Sequence, residues 1–343
     1  MEFDSIVSFD SLYESMLKCE RGVKWKPATK NFTLKGVHNC FKMEKQLKNG
    51  TFKNGKPNKI KITYPKKRDG LSISFRDRIY QRSLNDNYLY PIITKSFIYD
   101  NCACQKGKGT DFARRRIKKH LWNYYSNHGN DGWVLQIDIK GYYKNISVDT
   151  ACNIFKNRVK EPILSKVIEI IGIQSGGNKG FFPGSQIVQL IGVALLDPLD
   201  HFIKETLRIK HYIRYMDDLW ILGDDKEWLL HSLEEIKQKL SEYGLITHET
   251  KTKIRKLKTG FTFLGFSYRI TDTGKVLMFV LGNNVKHEKR KLRNMFRKFN
   301  QNKMTLDKIE ECYVSWRSHI AKGNTYKLLK RMDRFYFMEV QNA

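Results

Sequence analysis

Residues His211–Gly223 read HYIRYMDDLWILG. Ile213 and Tyr215 precede two adjacent carboxylates, Asp217 and Asp218; Leu219, Trp220, Ile221 and Leu222 follow them. β-Branched and aromatic residues on both sides of a short polar centre predict strand, tight turn, strand. Two carboxylates side by side on a turn repel each other unless a cation neutralises them. A divalent, oxygen-seeking ion such as Mg²⁺ is the natural compensator. A solvated Asp-Asp turn is the other reading, because such pairs are common turn chemistry.

The totals narrow the field. A chain of 343 residues, 41% of them hydrophobic, can build about two domains with a sizeable core. Sixty-three Lys and Arg against 35 Asp and Glu give a formal charge of +28, which points to a polyanionic partner, nucleic acid before membrane. The six cysteines are scattered, and Cys102 and Cys104 without a second Cys/His pair make a poor zinc signature, so reduced thiols are expected. The N-terminus is acidic and mixed, unlike a signal peptide, and the longest apolar run, Ile187–Leu196, is too short to cross a bilayer. A soluble, cytoplasmic protein without a membrane partner is expected.

A second acidic site lies in Gly132–Ile146, GWVLQIDIKGYYKNI. Asp138 interrupts a buried-looking strand, Trp133–Ile139, where an unpaired charge is costly. A metal shared with Asp217 and Asp218 would supply its partner, and three carboxylates on two strands suit two-metal phosphoryl transfer. A strand-end Asp capping the next turn is the alternative. Gln105–Arg116, QKGKGTDFARRR, is a compact basic patch able to hold a triphosphate or a phosphodiester, and it lacks the glycine order of a P-loop.

The remaining elements read as follows. Residues 1–50 look helical, with Val37, Phe41 and Leu47 on one face. Lys59–Tyr64 alternates like a strand before a basic hairpin-like element at Pro65–Gly70. Arg76–Leu89 has helical spacing through Ile79, Leu84 and Tyr88. A buried helix follows Ser185 and halts at Pro198. Lys226–Tyr243 is amphipathic through Leu229, Leu233, Ile236 and Leu240, and Phe261–Phe266 is an apolar strand or turn. From Val285 the chain turns into a basic helical tail, with Leu306, Ile309, Tyr313, Trp316 and Ile320 on one core face and a last helix at Tyr326–Phe337.

With Asp138, Gly184-Ser185, the YMDD stretch, Lys251 and the FLGF run in this order, the chain resembles a reverse transcriptase over roughly residues 60–335. The resemblance implies an α+β right-hand polymerase fold: an N-terminal extension and fingers over 1–130, an antiparallel palm sheet backed by helices over 131–280 with a finger-side insertion around 150–182, and a helical thumb over 281–343. It implies RNA-templated DNA synthesis from dNTPs, with two Mg²⁺ ions (Mn²⁺ as substitute) held by Asp138, Ile139, Asp217 and Asp218. Lys251 resembles the lysine that protonates departing pyrophosphate. Tyr143 resembles the aromatic gate that leaves no room for a ribose 2′-hydroxyl. Gly184, Ser185, Lys108, Arg114 and Arg78 are the other expected dNTP contacts. Lys106, Arg115, Met216, Leu264, Gly265, Lys289, Arg290 and Arg293 are the expected nucleic-acid contacts.

Some positions depart from the family pattern. Pro183 stands where a glutamine is frequent, Lys144 where an acid often follows the gate, and Val188-Gln189 where diversity-generating enzymes usually have Ser-Gln. Retron enzymes usually carry Ala where Met216 stands. The compact layout resembles bacterial or phage enzymes, nearest the anti-phage defence and diversity-generating groups. A defence enzyme copying a dedicated non-coding RNA into cDNA is expected, with an accessory protein or a homo-oligomer as further partners. Mutagenic cDNA synthesis, a template-independent or protein-primed polymerase, and a silent RNA-binding scaffold stay open beside it.

Overall fold

The computed structural model describes residues 3–63 and 67–343. The chain divides into two compact units. The first comprises Met1–Ala113, Gln136–Ile221 and Leu230–Thr252; the second comprises Arg114–Leu135, Leu222–Leu229 and Lys253–Ala343.

The strands are β1 (Asn58–Ile62), β2 (Arg68–Ser72), β3 (Trp133–Asp138), β4 (His211–Tyr215), β5 (Asp218–Gly223), β6 (Lys253–Lys256), β7 (Phe261–Phe263), β8 (Phe266–Ile270) and β9 (Val276–Val280). They form an antiparallel β1-β2 pair, a four-stranded sheet in the order β4-β5-β3-β6, and a three-stranded antiparallel sheet β7-β8-β9. The apolar runs either side of Asp217-Asp218 do become adjacent strands, and their side chains are buried from Leu219 to Leu222. β1 ends at Ile62; Tyr64 of the expected strand and Pro65 and Lys66 of the expected basic hairpin lie outside the described residues.

In the first unit, helices Phe9–Glu20 and Gly36–Lys48 pack together with helix Phe75–Leu84. The apolar face of Gly36–Lys48 is Cys40, Met43 and Leu47; Val37 and Phe41, expected inside, are 52% and 54% exposed. Gly36 packs close against Met16, a Cβ there coming within 2.9 Å of it, and Cys40, Met43 and Leu47 continue that face at four, three and four, which leaves Val37 and Phe41 facing outward. Ser74 starts the Phe75–Leu84 helix by accepting the Asp77 N–H, and Ile79 and Leu84 are fully buried. A wide turn at Asn85–Leu89 then shifts the phase, so Leu89 rather than Tyr88 faces the core.

Ser185 likewise caps helix Gln186–Ala194 through the Val188 N–H. The helix ends at Ala194, before Pro198, which sits in the first turn of the next helix, Asp197–His201, where its missing N–H costs nothing. The helical run Gln186–Thr206 is 21 residues long, twice the apolar run read from the sequence, and 72% of its apolar window is buried inside the fold, as in a core helix. Helix Lys226–Ser241 buries Leu229, Leu233, Ile236 and Leu240, each contributing roughly 1.5–3 kcal/mol.

The second unit ends in three helices, Gly282–Asn300, Leu306–Ile320 and Tyr326–Gln341. Their core is Leu292, Met295, Phe296, Ile309, Tyr313, Met332 and Tyr336, with Tyr313 and Tyr336 stacked at 4.4 Å and 4°. Leu306, expected on this face, is 37% exposed because it opens its helix.

Candidate active site

Three short segments of the first unit meet around Asp138. β3 delivers it at its C-terminal end, beside the 246–248 segment, where the Lys140 N–H donates to Ile246 O and the His248 N–H to Asp138 O. These two hydrogen bonds flank the antiparallel bridge between Ile139 and Thr247. Strand alternation therefore turns the Ile139 carbonyl away from that segment, toward the β5 side of the sheet. A turn at 249–252 follows and brings Lys251 back, so that its Nζ donates to both Asp138 oxygens at 2.9 and 3.1 Å.

The β4–β5 turn carries the other carboxylates. Met216 adopts φ +57°, an uncommon left-handed conformation for a residue with a side chain, and this tightens the turn. Asp217 and Asp218 are both half-buried. Burial pushes the Asp217 carboxyl up from its ordinary value, and the negative charge of Asp138 adds to the rise, against the opposing pull of Lys251 and Arg214.

The donor set fits a hard divalent cation. Asp138 and Asp217 offer hard carboxylate oxygens, and Asp217 is half-buried, so a further cation would favour its charged form. Among the described residues, no three acidic, His or Cys side chains stand together as a ready cage. With the Lys251 ammonium across both of its oxygens, Asp138 is drawn into an ion pair rather than into a three-carboxylate cluster.

The expected nucleotide contacts separate into two sets. Tyr143 is half-buried, stacks edge-on to Tyr142 at 5.4 Å, and rests its hydroxyl over Gly192, where a Cβ would come within 2.4 Å. Arg78 lines a cavity of about 260 Å³ with Lys18, Arg21, Ser185, Gln186 and Gln189. Gly184 also borders this cavity, and its lack of a side chain is needed for packing: a Cβ would lie 2.1 Å from the Leu71 carbonyl of β2. Ser185 is buried, and its hydroxyl caps a helix and donates to Gln174. Lys108 donates to the carbonyls of Tyr99 and Asn101. Arg114 belongs to the second unit and is buried, its guanidinium 4.8 Å from the Phe266 ring centre, because position 114 falls on the inward face of helix Thr110–His128.

Among the expected nucleic-acid contacts, Lys106 lies over the Tyr90 ring, and Met216 meets the Cys104 thiol at 3.6 Å. In the second unit, Arg115 and Arg290 are exposed, and Lys289 and Arg293 lie over Phe335. Leu264 and Gly265 form the β7–β8 turn at φ +47° and +84°.

Two features escaped the sequence reading. Arg214 and Asp200 are both fully buried and ion-paired at 2.6 Å behind the Met216–Asp217 turn, and Gly192 forms the surface under Tyr143. An arginine inside the apolar run HYIRY was the available signal.

Residues 63–268 match the reverse transcriptase (RNA-dependent DNA polymerase) family. The chain belongs to this family, and with it to the nucleotidyltransferases and the right-hand polymerase fold. No curated protein matches it.

Similar solved structures include apo telomerase from Candida tropicalis truncated from its C-terminal domain, 15% identical over 66% of this chain and 55% of that one, with a TM-score of 0.47. Telomerase from Candida albicans in complex with a TWJ fragment of telomeric RNA is 12% identical over 90% and 64%, with a TM-score of 0.47. A second structure of apo telomerase from Candida tropicalis is 15% identical over 64% and 47%, with a TM-score of 0.44. The chain spans about half to two thirds of the length of these telomerase chains.

Proposed function

We propose that this chain is an RNA-directed DNA polymerase that extends a primer with dNTPs along an RNA template, with Asp138, Asp217 and Asp218 as its metal carboxylates. The observation that carries the reading is the Lys251–Asp138 ion pair, made across 113 residues in a chain that belongs to the reverse transcriptase family. Fingers over 1–130, palm over 131–280 and thumb over 281–343 are the proposed division of labour.

Asp138 and Asp217 would hold Mg²⁺, joined by Asp218 and the Ile139 carbonyl. When bound, such ions lower the pKa of an attacking hydroxyl and neutralise phosphate charge. The protein's own groups do the rest. Lys251 carries a proton at Nζ next to Asp138, where a departing pyrophosphate can take it. Tyr143 presents a ring that excludes a 2′-hydroxyl. Arg78 and the cations around its cavity attract phosphate.

We further propose a bacterial or phage defence role on a dedicated non-coding RNA; the +28 charge supports a nucleic-acid partner, and the QKGKG patch with RYMDD supports the grouping. The test is synthesis on an RNA template by the wild type, Asp138→Asn and Asp217→Asn, together with sequencing of the nucleic acid that co-purifies. Wild-type-only cDNA of one structured RNA is expected. Mutations at one template base in that cDNA would move the role to diversity generation, and DNA on a Tyr or Ser would move it to protein priming. Synthesis unchanged in both variants would sink the mechanism.

A further inference from the structure

We propose that Arg214 is a positioning residue for the metal carboxylates: its guanidinium, fixed by Asp200, holds the Met216 carbonyl and with it the place of Asp217. The inference deepens the polymerase reading and rests on it for its kinetic arm.

Arg214 lies on β4, just before the turn, and neither it nor Asp200 is exposed at all. Nε donates to Asp200 Oδ1 at 2.7 Å and Nη2 to Oδ2 at 2.6 Å, the planar fork that only arginine offers a carboxylate. Tyr212 donates its hydroxyl to the same Oδ1 at 2.6 Å. The guanidinium reaches two further acceptors: Nη1 donates to Met216 O and Nη2 to Val193 O, both at 3.0 Å. Its backbone is pinned too, with Arg214 N–H on Asp100 O at 3.1 Å and Cys102 N–H on Arg214 O at 2.9 Å. One side chain therefore ties the carboxylate turn to the end of helix Gln186–Ala194 and to helix Asp197–His201.

Met216 is the residue in the turn that needs holding. A side-chain-bearing residue persists in the left-handed region only when its surroundings over-determine it. The hydrogen bond to its carbonyl supplies that restraint directly before Asp217. A buried ion pair gives little net stability compared with apolar residues of the same volume, so fixing geometry is the stronger reason to keep it.

The test compares wild type, Arg214→Lys, and the apolar double variant Arg214→Met/Asp200→Leu. The double variant removes the clamp without stranding a buried charge. Each is measured for its unfolding midpoint, for Mn²⁺ affinity by calorimetry on the protein alone, and for kcat and KM with dTTP on poly(rA)/oligo(dT). The expected result is a double variant with a near-wild-type unfolding midpoint, Mn²⁺ affinity down by about 10-fold and kcat down by about 100-fold, with KM little changed. A folded double variant with wild-type Mn²⁺ affinity and kcat overturns the proposal.

If the double variant does not fold, Arg214→Lys decides on the same readouts, since it keeps the charge and loses the fork. Should the wild type bind Mn²⁺ yet make no DNA, the polymerase reading fails while the Mn²⁺ comparison still judges Arg214. A wild type that binds no Mn²⁺ overturns both.

Discussion

Tyr143 and Lys251 show how much of a site depends on what each side chain touches. The Tyr143 hydroxyl lies against the bare backbone of Gly192, so Gly192→Ala must displace the ring from its place. The expected outcome is a kcat/KM for dTTP about 10-fold lower, with a changed discrimination against UTP, read by steady-state kinetics with both nucleotides. Unchanged selectivity would remove Tyr143 from the gate role. Lys251 engages both Asp138 oxygens and so competes with any metal there. Lys251→Met should lower kcat by about 10²–10⁴-fold through the lost proton donor, while Mn²⁺ binding to the protein alone tightens. Weaker Mn²⁺ binding would mean that the ammonium supports the metal rather than competing with it.

At the scale of elements, helical periodicity was readable wherever apolar residues recurred every three or four positions, as at Leu229–Leu240 and Ile309–Ile320. It misplaced Val37, Phe41 and Tyr88, where the buried face runs through Gly36 and where a wide turn shifts the phase. The C-terminal helices allow two predictions. Tyr313→Ala removes the ring stacked on Tyr336 and should destabilise the second unit by about 3–5 kcal/mol, measured by hydrogen exchange along Gly282–Gln341. A loss under 1 kcal/mol would mean that the stack contributes little.

Arg317 hydrogen-bonds Asp333 at 2.8 and 3.0 Å and holds its carboxyl below its ordinary value; Tyr313 adds a further hydrogen bond. A carboxyl lowered in the folded state contributes stability above its unfolded value, near ~3.9, and loses it as pH falls through the lower folded value. Asp333→Asn should therefore reduce hydrogen-exchange protection at pH 7, and the gap from wild type should close in strong acid. A gap constant with pH would rule out the ion pair as its cause.

For the whole molecule, a charge of +28 makes nucleic-acid affinity a question of counterions. If six to ten phosphates are contacted, RNA binding should weaken by about 10³–10⁵-fold between 50 and 200 mM KCl, as a filter-binding series would show. A flat salt series would leave the positive charge without its proposed partner.

The sequence by itself determined the strand–turn–strand around Asp217-Asp218, the strand that carries Asp138, most helix faces and the polyanion-seeking charge. These are written in residues a few positions apart, through turn chemistry, side-chain period and composition. Only the tertiary structure decided which polar side chains meet distant partners and which are spent on packing. Lys251 meets Asp138 across 113 residues, Arg214 meets Asp200 beneath the turn, Arg114 is spent on Phe266, and Gly184 and Ser185 are spent on packing and capping. A charged side chain enters a core only where a distant partner supplies its hydrogen bonds, and local spacing does not reveal that partner.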